Sequence, residues 1–135
     1  MRRIMVDANV LVSAALFPNS ATARSLTVAV KEHQLLICDY VLEEVHSVFE
    51  RKFPDKIESL DTFISKLAYE RCDTPSADDN TPDMRDDDDK PILQAAINAN
   101  ADIILTGDKD FHALNVEQPK IMSPNAILGL KSVSI

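Results

Sequence analysis

Three short runs of consecutive apolar residues constrain the chain more than any other feature: Ile4-Met5-Val6, Leu35-Leu36-Ile37-Cys38 and Ile103-Ile104-Leu105. A strand with one wet face alternates apolar and polar residues. A continuous run is apolar on both faces and needs cover on both. Between these runs lie helix-period patterns over Val10–Leu16, from Ser20 or Thr22 to about His33, Tyr40–Lys52, Ile57–Arg71 and Pro91–Asn100. Pro18-Asn19 ends the first of them and Pro54 the third. Lys120-Ile121-Met122 reads as a fourth strand, and Asn125–Leu130 as a closing helical turn. Residues 73–90 are polar, aspartate-rich and broken by two prolines, so they read as a loop. Buried strands alternating with helices predict an α/β fold, a parallel central sheet flanked by helices on both faces.

A chain of 135 residues suits one domain, 1–135, large enough to bury a core without staples. No apolar run approaches the ~18 residues that span a bilayer. The start, Met-Arg-Arg-Ile-Met-Val-Asp, has no signal-peptide pattern, so a cytoplasmic protein without membrane contact is expected. Cys38 and Cys72 form no CxxC pair, and His33, His46 and His112 are scattered. A structural zinc site is therefore not expected, and both cysteines read as buried free thiols. The net charge of −8 argues against a protein that coats nucleic acid. It leaves open a site whose gathered carboxylates bind cations and so reverse the local sign.

In parallel sheets, ligands bind beyond the carboxyl ends of the strands. Asp7 follows the first apolar run directly, and Asp108 follows Ile103–Leu105 by way of Thr106-Gly107. Parallel strands bring both to one edge. In Tyr40–Lys52, Val41, Leu42, Val45, Val48 and Phe49 form one stripe. Helical phase puts Glu44 at its border, with Glu43 and Glu50 toward water. Asp89 precedes Ile92, Leu93 and Ala96 by three, four and seven positions, on the same helical face. It is therefore expected to open its helix facing inward, unlike Asp86, Asp87 and Asp88. Four gathered carboxylates repel unless cations neutralise them. Oxygen-only ligands suit Mg²⁺ or Mn²⁺, ions that activate water and stabilise the leaving oxygen of a phosphodiester.

The landmarks Val6-Asp7-Ala8-Asn9-Val10-Leu11, Leu42-Glu43-Glu44-Val45, Arg85-Asp86 through Asp89 with Ile92-Leu93 and Ala96, and Ala101 through Phe111 with Thr106-Gly107-Asp108-Lys109-Asp110 follow one another in a specific order. In this order and spacing the chain resembles PIN-domain nucleases, and among them the toxin components of bacterial toxin–antitoxin pairs. The resemblance covers essentially the whole chain. It implies Asp7, Glu44, Asp89 and Asp108 as an acidic quartet that holds Mg²⁺ or Mn²⁺ and hydrolyses RNA. Asn9 and Thr106 take supporting roles, and Asp110 is a further candidate acid. It also implies a homodimer and a small antitoxin partner. One departure is Cys38, which stands where the family often has a serine, ahead of the glutamate helix.

Two other readings compete. Asp7 could be the nucleophile of a phosphatase or phospho-acceptor domain, although that pattern wants a second aspartate where this chain has Asn9. The chain could also be a catalytically idle binding module on the same scaffold. Arg85 reads as an exposed loop residue before a phosphate contact, and His112 as a surface or packing residue before a catalytic base. Ser20 and Thr22 read as helix caps.

Overall fold

The computed structural model describes residues 1–74, 90–114 and 116–130. Among them five strands form one all-parallel sheet: β1 Arg3–Val6, β2 Gln34–Cys38, β3 Tyr69–Cys72, β4 Ile103–Leu105 and β5 Lys120–Met122. Their order is β3-β2-β1-β4-β5. The helices are α1 Ala8–Leu16, α2 Ala21–Glu32, α3 Asp39–Lys52, α4 Ile57–Ser65, α5 Lys90–Asn98, α6 Lys109–His112 and α7 Pro124–Leu128, with a 3₁₀ turn at Pro54–Lys56.

The expected apolar runs are the middle of the sheet. Ile4, Met5, Val6, Leu35, Leu36, Ile37 and Cys38 have no solvent exposure, and Ile103–Leu105 are buried beside them. The chain steps outward from β1 to β2 to β3, then returns across β1 to β4 and β5. Right-handed crossovers therefore put α1–α4 on one face and α5 on the other. The guanidinium of Arg3 reaches the α5 face, where its Nε donates to the carbonyl of Ala99 at 3.0 Å. On the opposite face α1 packs on α2, α3 and α4, and α2 packs on α7.

Sequence periodicity misplaced one element. The helix expected over Ile57–Arg71 ends at Ser65, and Tyr69–Cys72 is a fifth strand. Its residues are half-buried, exposed, exposed and buried, so no apolar run announces it. Buried β2 dictates its presence, because the outer backbone groups of that strand would otherwise be orphaned. Two ion pairs hold β3 in place. Arg3 engages the Glu70 carboxylate with both terminal nitrogens, at 2.7 and 3.3 Å, and Arg71 pairs with Asp39. The Arg3 hydrogen bond also holds the Glu70 carboxyl below its ordinary pKa.

Local chemistry sets the helix ends. Ser20, not Thr22, caps α2, accepting from the Ala23 amide at 3.1 Å. The helix expected to reach Asn100 is regular to Asn98 and closes in a Schellman turn. The Ala101 amide donates to the Ala96 carbonyl and the Asn100 amide to that of Ile97, with Asn100 at φ 56°. Asn100→Ala should cost about 1 kcal/mol, since an alanine pays the left-handed penalty, whereas Asn100→Gly should be neutral or stabilising. Urea midpoints of the two variants measure the difference.

Candidate active site

The strand order reverses between β1 and β4, and that crevice is where doubly wound sheets bind ligands. Asp7 ends β1 and is the N-cap of α1. Its Oδ1 accepts from the Val10 amide at 3.0 Å. From β4, Thr106 donates its hydroxyl to Oδ2 of Asp7. The same Thr106 oxygen accepts from the Asp108 amide at 2.9 Å, so one hydroxyl joins the two strand ends. Asp108 in turn is the N-cap of α6, its Oδ1 accepting from the Asp110 amide at 2.8 Å. The His112 Nε2 lies 2.9 Å from the Thr106 carbonyl. A carbonyl only accepts, so this nitrogen carries the proton and braces the turn.

Asp7 is only 4% exposed and Thr106 not at all. Burial pushes the Asp7 carboxyl above its ordinary pKa, and the charge of Asp108 adds to the shift. The Thr106 and Val10 hydrogen bonds oppose it without cancelling it. The folded chain thus holds a carboxylate that is costly to ionise, beside a second acid. The positive end of the α1 dipole offsets part of that cost. Each Asp7 oxygen has a lone pair left beyond its hydrogen bond, so both still have capacity for a cation.

Asn9 is exposed at the start of α1. With Ser13, Thr22, Gly107 and Asp108 it lines an open cleft of about 290 Å³ beside Asp7. Sequence reasoning missed Ser13 and took Thr22 for a cap. The available signal was Asn9 and Ser13, four apart in the otherwise apolar helix Ala-Asn-Val-Leu-Val-Ser-Ala-Ala-Leu. A larger cleft of about 360 Å³ lies at the other end of β4, by Ile97, Asn100 and Asp102. The Asp102 carboxylate there already accepts from the Arg3 amide at 2.8 Å, and among the described residues no second acid lines that cleft.

The other predicted acids stand differently. Val41, Val45 and Phe49 are the buried stripe of α3, while Glu43, Glu44 and Glu50 are all exposed. Burial therefore does not separate Glu44 from its neighbours as helical phase suggested. Asp110 is half-buried in the first turn of α6. Asp89 and Arg85 lie outside the described residues. Among the described residues no three His, Cys, Asp or Glu side chains gather closely enough to hold a metal ion. Asp7 and Asp108 nonetheless fit a hard divalent ion. Their donors are carboxylate oxygens, the buried one is destabilised as an anion, and among the described residues neither is neutralised by an ion pair.

Residues 3–110 match the PIN domain family. The chain belongs to the PIN-domain family. No curated protein sequence matches it. Its fold is similar to solved chains from two DNA-bound complexes. One is VapBC2 from Rickettsia felis bound to a DNA fragment from their promoter. It is 19% identical, with TM-score 0.68, over 90% of this chain and 98% of that one. The other is DNA-bound VapBC from Salmonella typhimurium, 15% identical, with TM-score 0.67, over 92% of this chain and 99% of that one. At such identities the likeness is one of fold. Among the described residues, no helix of this PIN-domain protein is long and apolar enough to cross a membrane.

Proposed function

We propose that this PIN-domain chain is a Mg²⁺- or Mn²⁺-dependent endoribonuclease, the toxin of a toxin–antitoxin pair. The observation that carries the reading is the Asp7–Thr106–Asp108 hydrogen-bond chain, which joins two acids across the switch point. Asp7 and Asp108 would hold the ion together with Glu44 and Asp89, and Asp110 stands close behind. When bound, the ion supplies activation of water and stabilisation of the leaving oxygen. The chain's own residues do the positioning. Thr106 and the Val10 amide fix the Asp7 carboxylate, and the Asp110 amide orients that of Asp108. Asn9, with Ser13 and Thr22, offers hydrogen bonds to a phosphate or ribose in the cleft. At a net charge of −8, approach of a polyanion depends on the bound cation reversing the local field.

The burial of Asp7 disfavours the phosphatase reading, which needs a carboxylate oxygen open to in-line attack on phosphorus. The likeness to chains from VapBC complexes supports a small antitoxin protein as partner, and a homodimer is part of the same proposal. The test is cleavage of labelled RNA by purified protein. Cleavage should appear with Mg²⁺ or Mn²⁺, stop on chelation and return when the ion is restored. RNA that survives prolonged incubation with Mn²⁺ would leave the idle binding module as the better reading.

A further inference from the structure

Cys38 and Cys72 have no part in the proposed chemistry. Cys38 is the N-cap residue of α3, yet its side chain makes no capping hydrogen bond. Asp7, Ser20, Asp108 and Ser123 each cap their helices with a side-chain oxygen. Both cysteines are free and buried, as their spacing suggested. What spacing could not show is that they are register partners at the carboxyl end of the parallel β2–β3 ladder. Lateral partners on neighbouring strands lie about 4.8 Å apart and point to the same face. That lies within the Cα separation of about 4.4–6.8 Å that a disulfide spans. The segments are already clasped on either side, by Arg71 with Asp39 and by the Tyr40 amide donating to Thr74 Oγ1 at 2.8 Å. Access is unequal. Cys38 has no exposure, whereas Cys72 is 9% exposed and lines an open cleft with Thr74 and Asn98.

We propose that Cys38 and Cys72 are a dithiol that hydrogen peroxide converts to a cross-strand disulfide, linking the start of the Glu44 helix to the edge strand. The Cys72 thiolate attacks one oxygen of hydrogen peroxide. The O–O bond breaks, hydroxide leaves and is protonated to water, and Cys72 becomes a sulfenic acid. The Cys38 sulfur then attacks the sulfenic sulfur and loses its proton. The S–O bond breaks, and a second water departs. Two thiols and one peroxide become one disulfide and two waters, with two electrons passing from sulfur to oxygen. Burial holds both thiols above their ordinary pKa. The pair therefore rests reduced and reacts slowly at neutral pH, with thiol loss rising about tenfold per pH unit while the thiolate is the minor form. The pair does not depend on the nuclease reading.

The test treats the full chain with excess hydrogen peroxide, then denatures it, alkylates the remaining thiols and maps the peptides by mass. Both thiols should disappear together into one Cys38–Cys72 cross-linked peptide that dithiothreitol reverses, and the oxidised protein should have a higher urea midpoint. Cys38→Ser should stop at a sulfenic acid on Cys72 that dimedone traps, and Cys72→Ser should leave Cys38 unmodified. The proposal is overturned if both thiols of the native chain persist, if Cys72 advances to sulfinic acid while Cys38 still alkylates, or if the disulfide formed joins two chains.

Discussion

Asp7→Asn should lower RNA cleavage by at least about 10²-fold while leaving the metal-free fold as stable as the parent or more so. The loss should exceed the ~10–100-fold typical when a residue that only orients a ligand is removed. The stability gain has its own reasoning. Asparagine caps a helix as well as aspartate, so the bond from the Val10 amide survives, and its Nδ2 replaces the other bond by donating to the second lone pair of the Thr106 hydroxyl. What disappears is a buried charge whose folded pKa is raised, chiefly by burial and further by Asp108. For a raised acid, the folded state keeps a proton that the unfolded chain has already released. Stability therefore falls as pH rises from the ordinary carboxylate range, about 3.9, through the folded pKa. The asparagine variant lacks that fall. Its advantage in urea midpoint should be absent at acid pH and largest at neutral pH. Each 1 kcal/mol of gain corresponds to about 4 °C in Tm for a domain of this size. Added Mn²⁺ should reverse the ranking, since an ion at 100 times its Kd stabilises the parent by about 2.7 kcal/mol. Full cleavage by Asp7→Asn in Mn²⁺ would sink the site assignment.

Thr106→Val should be the more damaging change to the fold. Valine matches threonine in shape but not in hydrogen bonding. It strands Oδ2 of Asp7 and the Asp108 amide together, where one buried hydroxyl had served both. An unsatisfied buried donor costs about 1–3 kcal/mol and a lost bond to a charged group about 1.5–3. The sum, discounted for relaxation, is about 2–4 kcal/mol, or about 10 °C in Tm. Cleavage should fall about 10–100-fold, as for other residues that orient a ligand. Thr106 also lowers the Asp7 pKa, so the acid limb of the pH–rate profile should move upward. Thr106→Ser keeps the hydroxyl and should restore both the profile and most of the rate. A valine variant with an unshifted profile would show that the hydroxyl does not govern Asp7.

The sheet centre was legible because full burial on both faces leaves one residue class to choose from. Ile4–Val6, Leu35–Cys38 and Ile103–Leu105 therefore announced themselves. β3 was not legible, because Glu70 and Arg71 sit on an open edge and are held by partners distant in sequence. The helical stripe of Ile57–Leu67 simply ran on into it in the sequence. Glu44 marks a similar limit. Phase put it at the border of the α3 stripe, but Glu43, Glu44 and Glu50 are exposed alike, so burial does not single it out.

Asp7 and Asp108 were placed at one edge by sequence alone, since a residue that ends a buried parallel strand has nowhere else to go. How the two acids communicate was decided only by tertiary structure. Adjacency of β1 and β4 puts Thr106 against Asp7, 99 positions away, and hydrogen bonding at 3 Å demands a register that no periodicity encodes. The same holds for Cys38 and Cys72. Sequence showed two unpaired thiols, and the β2–β3 register made them neighbours. Local composition determines which residues must be buried. Which buried residues meet depends on strand order, and strand order is a property of the whole chain.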